Sequence, residues 1–416
     1  MPATKGSLRV RMYRVGFGDC FLVSVPVGSG HEHLLVDFGV HPSGDLGVLP
    51  AVLDDVEKET GGKLAVVVAT HEHADHISGF ARLGDALGKF DIGEIWMPWA
   101  MNPEDPLAQS LRRKRLALMG VLEGHLRAAA RAGASGPAAA RAAHALANLT
   151  GNDLAMSNLG SRFGGAAKKI RYFKGPAPGK TPGVETDPAG LTGASVRFLG
   201  PPTDEAFLKS MDPPQSQRYL ELEGKKAVTR GAVCPFEPRW RLAAPEAHKV
   251  LGVSRADEKA LADSWNPDLA ALAFTLDSAM NNSSLVFLLT FRGQGLLFPG
   301  DAQWGNWKSW IEASDGASLL ATVSFLKVAH HGSMNATPKD ALERMTAGSL
   351  AAMVSTQTKP WDSIPRLPLI ARLEETTKHR LVRSDSLGTA EPRGPRLAKA
   401  PKGFQLGTLW ADWVAS

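Results

Sequence analysis

The sequence predicts an α/β layered fold, and three observations carry that expectation. Short apolar, β-branched runs alternate with helix-period segments at both ends of the chain. Several of those runs end in residues that bind cations: T-H-E-H-A-D-H after one, P-G-D after a second, A-H-H-G-S after a third. Between the orderly ends lie two blocks without that rhythm, 101–190 and 203–280. They read as insertions in a single domain, 1–416, whose core is 1–100, 191–202 and 281–416.

Taken in order, Leu8 to Val15 and Phe21 to Val27 flank the turn Gly16-Phe17-Gly18-Asp19 and predict a hairpin. A third strand, His33 to Phe38, ends in L-L-V-D-F-G. Leu49 to Lys58 carries Pro50 in its first turn and Leu49, Val52, Leu53 and Val56 on one face, which predicts a helix. The apolar run Leu64 to Ala69 is a strand leading into the histidine motif, followed by a helix over Ile77 to Leu87 and a strand over Ile92 to Met97.

At Pro98 the rhythm breaks. The Ala-, Leu- and Arg-rich stretch Leu107 to Leu149 predicts two or three helices, with His125 and His144 as packing or surface residues on them. From Gly175 to Gly193 the chain reads as a loop, and its G-K-T lacks the glycine spacing of a phosphate loop. Ala194 to Leu199 is a strand; Thr203 to Met280 is irregular, with helices near Ala244 to Leu251 and Ala256 to Ala262.

Order returns with strands Ser284 to Phe291 and Gly295 to Phe298, the second running into Asp301. Gln303 to Ala313 is a helix whose Trp304, Trp307 and Trp310/Ile311 form a core-facing stripe. The strand Val323 to Ala329 delivers His330 and His331. A helix from Pro338, a strand over Ala351 to Ser355, a helix over Leu367 to Thr377, a strand over Arg380 to Arg383 and an edge strand over Phe404 to Trp410 complete the reading.

Composition, with 44% hydrophobic and 21% charged residues, is that of a soluble globular protein. No apolar run reaches the roughly 18 residues of a membrane span and no secretory leader is recognisable, so a cytoplasmic location is expected. Two cysteines, Cys20 and Cys234, fit a reducing compartment and exclude a cysteine-based zinc site. The net charge of +5 is uneven: Asp105 to Glu185 holds thirteen Lys/Arg against four acids, +9, leaving −4 elsewhere. Such a segment suits an anionic substrate, although a solvated helix face explains any one of these residues equally well.

The histidine motif is the most informative stretch. His71, His73, Asp75 and His76 place four ligand types within six residues behind a strand, where they can converge on a cation. Asp37, at a strand end, is expected either to orient a ligand or to serve as an ordinary turn residue. His31-Glu32-His33 repeats half the motif without the Asp-His and reads as solvated turn chemistry. With Asp301 and His330/His331, three strand ends carry ligand types, and strand ends in open α/β layouts share one crevice.

Through V-G-F-G-D-C-F-L-V, L-L-V-D-F-G, T-H-E-H-A-D-H-I-S-G, N-N-S-S-L-V-F-L-L, L-L-F-P-G-D-A, L-K-V-A-H-H-G-S and L-V-R-S-D-S-L-G, the chain resembles the metallo-β-lactamase-fold hydrolases. The likeness is closest to the ComEC-like branch, which includes the exonuclease-like domain of DNA-uptake proteins and phosphorylcholine esterases. The resemblance implies an αββα sandwich, two mixed sheets flanked by helices, with largely helical insertions. It implies two divalent metal ions, Zn²⁺ or Mn²⁺: His71 and His73 on one, Asp75, His76 and one of His330/His331 on the other, Asp301 bridging, and Asp75 also orienting the nucleophile. Relatives place a further histidine where this chain has Asn281-Asn282, so Asn282 enters as a weak, hard ligand favouring Mn²⁺ or Mg²⁺.

The implied function is a metallohydrolase that activates water between two metals to cleave a phosphodiester, in nucleic acid or a nucleotide-like molecule. Two other readings stand beside it. The same site would serve a lactone, thioester or amide. Alternatively, the Asn281-Asn282 departure marks a binding or regulatory module with a degenerate metal site.

Overall fold

Two sheets face each other across a common core, and the carboxyl ends of their parallel strands meet along one edge. The computed structural model describes residues 6–415 except 132–136, 178, 220–278, 314, 347, 349, 362, 389–395 and 398. Cys234 and the helices expected near 244–251 and 256–262 lie outside the described residues.

The first sheet runs, in spatial order, β14 (Phe404–Leu406), β15 (Trp410–Val414), β1 (Arg9–Tyr13), β2 (Cys20–Val27), β3 (Gly30–Phe38), β4 (Lys63–Val68), β5 (Asp91–Pro98) and β6 (Ala167–Phe173). Strands β3 to β6 are parallel and the others antiparallel. The second sheet runs β13 (Leu381–Arg383), β12 (Ala351–Val354), β11 (Val323–Lys327), β10 (Gln294–Phe298), β9 (Val286–Phe291), β8 (Ala194–Gly200) and β7 (Glu185–Thr186), with β10 to β13 parallel.

Period-two alternation explains the layering. Along β2, Phe21, Val23 and Val25 enter the core between the sheets. Cys20 and Leu22 face the other way, with residues of α1 (Leu49–Thr60) and α2 (Ala74–Arg82). Along β10, Leu296 and Phe298 point inward while Leu297 joins Trp307 and Trp310 of the outer helix Trp304–Ile311. The tryptophan stripe is thus core, with Trp304 only half-buried. The result is the expected αββα arrangement.

Three sequence expectations change. His31, Glu32 and His33 lie on β3, not in a turn, and His33 is buried with its Nδ1 3.0 Å from Ser24 Oγ. The loop expectation rested on Gly28-Ser29-Gly30, but the turn is shorter and the strand pairs through Val27↔Gly30. Residues 404–410 do not form one strand: β14 and β15 make a hairpin, and β15 sits inside the sheet beside β1. Finally, the basic block is not helical throughout, because Ala167–Phe173 is the edge strand β6 and pairs with β5. Before that strand the block carries the helices α3 (Pro106–Arg131), α4 (Pro137–Leu149) and α5 (Asp153–Gly160), and after it the edge strand β7 of the second sheet.

A buried ionic cluster joins the chain ends to α1. Arg11 bonds both oxygens of Asp412 at 2.7 and 2.8 Å and Asp55 at 2.6 Å, and Arg9 bonds Glu59 at 2.5 Å. Arg11 also lies 4.0 Å over the Trp410 ring. No described helix is long and apolar enough to cross a membrane.

Candidate metal centre

The chain leaves β4 at Val68 and reaches His71 and His73 before α2 begins. His73 is the residue preceding α2, and Asp75 and His76 occupy its first turn. This compact loop is possible because of Gly39: a Cβ there would lie 2.4 to 2.6 Å from the backbone of Asp75 and His76. The Gly18-Asp19 turn braces the same loop, Asp19 N donating to Asp75 O at 2.9 Å.

The second sheet supplies the opposite wall. Asp301 follows β10 through Pro299-Gly300, and its N–H donates to Ser284 Oγ at 3.1 Å. His330 and His331 follow β11, both with left-handed backbone (φ 47° and 53°). Two consecutive non-glycine residues in that region are strained by about 1–3 kcal/mol each, strain that clusters at functional sites. His330 N–H donates to Gly300 O at 3.3 Å, locking the two loops together.

Three sets of ligand atoms result among the described residues, one of them Asp19, Asp37 and His76, and the other two overlap at the centre. Asp75, His76, Asp301 and His331 each offer an atom within 4.8 Å of the others, and so do His71, His73 and Asp75. Asp75 is common to both. His76 Nε2 is 3.1 Å from Asp301 Oδ2; His331 Nε2 is 3.0 Å from Asp75 Oδ2 and 3.3 Å from Asp301 Oδ2. His71 Nε2 and His73 Nδ1 lie 2.9 Å apart.

Electrostatics divides the imidazoles into two kinds. Burial, reinforced by the neighbouring histidines, pushes His71 well below the ordinary range, and burial pushes His73 down to about 3. Both are therefore neutral lone-pair donors at pH 7. Burial alone would do the same to His76 and His331, but the surrounding carboxylates outweigh it, raising His76 well above its usual value and His331 to about 10. In return His76 and His331, with Lys327 beside Asp301, draw Asp75 and Asp301 well below the ordinary carboxylate range despite their burial.

These features fit divalent cations. Two neutral imidazole nitrogens 2.9 Å apart can each turn a lone pair to a shared cation. Asp75 Oδ1 is buried without a hydrogen-bond partner among the described residues. A set of nitrogen and carboxylate donors this dense is the chemistry of a zinc or manganese site.

Asp37 holds the ligands in place. Its carboxylate accepts from Thr70 N and Thr70 Oγ1, each at 2.7 Å, and from the Nδ1–H of His76 at 2.7 Å. Thr70 Oγ1 is also 3.1 Å from His71 Nδ1.

Of the two adjacent histidines, His331 joins the cluster. His330 stands 4.0 Å from Asp301 and lines the adjoining cleft. Asn282 is committed elsewhere: its oxygen accepts from Gln303 N and Asn306 N, and its NH₂ donates to Leu208 O and Ser210 O. It pins loops together, with its oxygen already accepting two backbone N–H groups. Its neighbour Asn281 approaches His330, with Nδ2 3.4 Å from Nε2.

Two groups escaped the sequence reading. Lys327, fully buried at the end of β11, contacts Asp19 Oδ2, Asp301 Oδ1 (3.2 Å) and Gly300 O (2.8 Å). A lysine inside the apolar run V-S-F-L-K-V-A was the available signal, since lysine is almost never fully buried unpaired. Asn148 on α4 accepts from Asp75 N at 3.1 Å; nothing in the sequence marks it.

Beside the cluster opens a cleft of about 350 Å³ lined by Phe17, Asp75, Asn148, His330, Trp361 and Arg366, among others. The basic block does not face it as a sheet of open charge. Arg112, Lys114, Arg115, Arg127, Lys168, Lys169 and Arg171 each form an ion pair with Asp153, Glu205, Glu72, Glu123, Asp91, Glu94 and Glu185/Glu94 respectively.

No curated protein matches the chain. The family model of the metallo-beta-lactamase superfamily matches residues 13–112, the stretch holding β2 to β5 and the histidine motif. That match, with two mixed sheets flanked by helices and a buried His/Asp cluster, supports a metallo-beta-lactamase superfamily domain and points to metal-dependent hydrolysis.

Proposed function

We propose that the protein is a hydrolase that holds two divalent cations, Zn²⁺ or Mn²⁺, and cleaves a phosphodiester in a compact, nucleotide-like substrate. The observation that carries this reading is the pair of ligand sets sharing Asp75 at the floor of a cleft. His71 and His73 would hold one ion; His76 and His331 the other, with Asp75 on the second and Asp301 between them. Bound there, the cations supply Lewis acidity at the scissile group and activate water near neutral pH.

The chain's own residues do the rest. Asp75, which reaches both the ligand sets and the cleft, orients the attacking water. His330 lines the cleft and is kept below the ordinary imidazole range by burial, so it meets the substrate as a neutral hydrogen-bonding group. Arg366, also on the cleft wall, suits an anionic group. The ion pairing of Arg112, Lys114, Arg115, Arg127, Lys168, Lys169 and Arg171, seven of the thirteen cations of the basic block, favours a small substrate over a long polyanion.

The test is a substrate panel under Mn²⁺ and Zn²⁺: bis-p-nitrophenyl phosphate, dinucleotides, single-stranded DNA, lactones and thioesters. Turnover of the small phosphodiesters, abolished by Asp75→Ala and by Asp301→Ala, is expected. Full activity in either variant would sink the proposal. Turnover of acyl substrates alone would move the chemistry to a lactone, thioester or amide. Less than one bound metal per chain with no activity would favour a binding module.

A further inference from the structure

Four carboxylates are buried together around the candidate centre: Asp19, Asp37, Asp75 and Asp301. Among the described residues one buried cation that is not an imidazole stands against them, Lys327. Its ammonium takes Asp301 Oδ1, leaving Oδ2 as the oxygen that faces His76, His331 and His330. Asp301 therefore enters the cluster through one oxygen, and the other is anchored to the sheet through Lys327 and Gly300 O. Asp19, the second partner, lies 3.6 Å from His331 Nδ1 and 3.7 Å from His76 Nδ1, behind the ligand rings.

Charge counting gives the lysine a second consequence. Two divalent cations against four carboxylates sum to zero with neutral histidines; Lys327 makes the loaded centre +1. An anionic substrate or product is attracted to that residual charge, whereas a neutral centre would not attract it.

We propose that Lys327 is a positioning residue of the metal centre, which fixes Asp301 so that a single oxygen serves the metals and leaves the loaded site cationic. This rests on the two-cation reading above. It is separable from it, because the comparison is made on metal affinity and anion binding as well as on turnover.

Removing Lys327 alone strands two buried carboxylates and invites misfolding, so the experiment uses a charge-balanced pair in the full chain. Asp19→Asn, Asp19→Asn with Lys327→Met, and Lys327→Arg are compared with the parent protein. The readouts are Mn²⁺ and Zn²⁺ affinity and stoichiometry, thermal unfolding of the metal-free protein, and inhibition by inorganic phosphate. Asp19→Asn is expected to keep metal affinity within about threefold, and adding Lys327→Met to lower it about tenfold or more while the melting temperature stays near that of Asp19→Asn, as when a group that orients a ligand is lost. By the same charge count Asp19→Asn raises the loaded centre to +2 and the double variant returns it to the parent's +1, so phosphate inhibition should strengthen in Asp19→Asn, fall back in the double variant and be largely unchanged in Lys327→Arg. Metal affinity in the double variant equal to that of Asp19→Asn, or phosphate inhibition that does not fall from Asp19→Asn to the double variant, would overturn the proposal. One equivalent of metal in the parent protein would overturn the two-cation reading and with it the cationic charge of the loaded site, the positioning of Asp301 by Lys327 then being read on the affinity for that ion.

Discussion

Asp37 and His76 are joined at 2.7 Å, carboxylate to Nδ1, and this bond aims Nε2 of the ring at Asp301, 3.1 Å away. Asp37 has a left-handed backbone (φ 55°), which lets its carboxylate reach Thr70 and His76 together. Asparagine tolerates that conformation and is nearly isosteric, so Asp37→Asn changes the charge without disturbing the turn. Metal affinity is expected to fall about 10- to 100-fold, the usual cost of losing a group that orients a metal-bound histidine. Titration with Mn²⁺ or Zn²⁺ checks it, and unchanged affinity would refute the role.

Asp412 carries a purely structural prediction. It receives Arg11 through two hydrogen bonds and Arg9 at 3.3 Å, all buried between β1, β15 and α1. Asp412→Ala leaves the arginines with Glu59 and Asp55 only, and the loss of one partner from a buried pair costs about 3–5 kcal/mol. Urea unfolding of the metal-free protein measures this, and a loss under about 1 kcal/mol would show that the remaining carboxylates suffice.

What the sequence revealed depended on whether the physical signal was local. The His71 to His76 spacing, the strand ends at Asp301 and His330/His331, and the two-period strands were all visible in windows of a few residues. The choice between His330 and His331 was not, because it turns on two left-handed residues that rotate one ring into the cluster and the other toward the cleft. Asn282 looked like a ligand by position, yet four hydrogen bonds to residues 208, 210, 303 and 306 occupy it. The +9 segment promised an open basic surface. Four of its carboxylate partners, Glu72, Asp91, Glu94 and Glu205, lie outside that segment, so this pairing could not be read from local charge.

His33 makes stability depend on pH. Burial, with His31 and Arg9 adding repulsion, lowers its pKa from 6.5 to about 4. Above pH 6.5 the ring is neutral in both states. As pH falls through 6.5 the unfolded chain takes up a proton that the folded chain refuses until about pH 4, so stability is lost across that window. The full shift corresponds to about 3 kcal/mol. His33→Gln gives up the bond to Ser24 at every pH but is expected to decline less steeply between pH 6.5 and 4. Denaturant midpoints measured across that range decide it, and parallel curves would show that His33 does not contribute.

The helices of the inserted block reach directly onto the histidine motif. Asn148 accepts from Asp75 N at 3.1 Å, Asn152 donates to Glu72 O at 2.6 Å, and Arg115 pairs with the Glu72 carboxylate. Asp75 belongs to both ligand sets, so its backbone position matters to both. Asn148→Ala strands a buried N–H, a cost of about 1–3 kcal/mol that falls on the metal loop. Asn148→Asp keeps an acceptor oxygen at the same reach. The alanine variant is therefore expected to bind metal about tenfold more weakly, with aspartate restoring most of the affinity. Metal titration of both variants, beside their melting temperatures, separates a displaced Asp75 from general loosening. If alanine binds metal as the parent does while melting lower, the inserted helices stabilise the fold without shaping the centre.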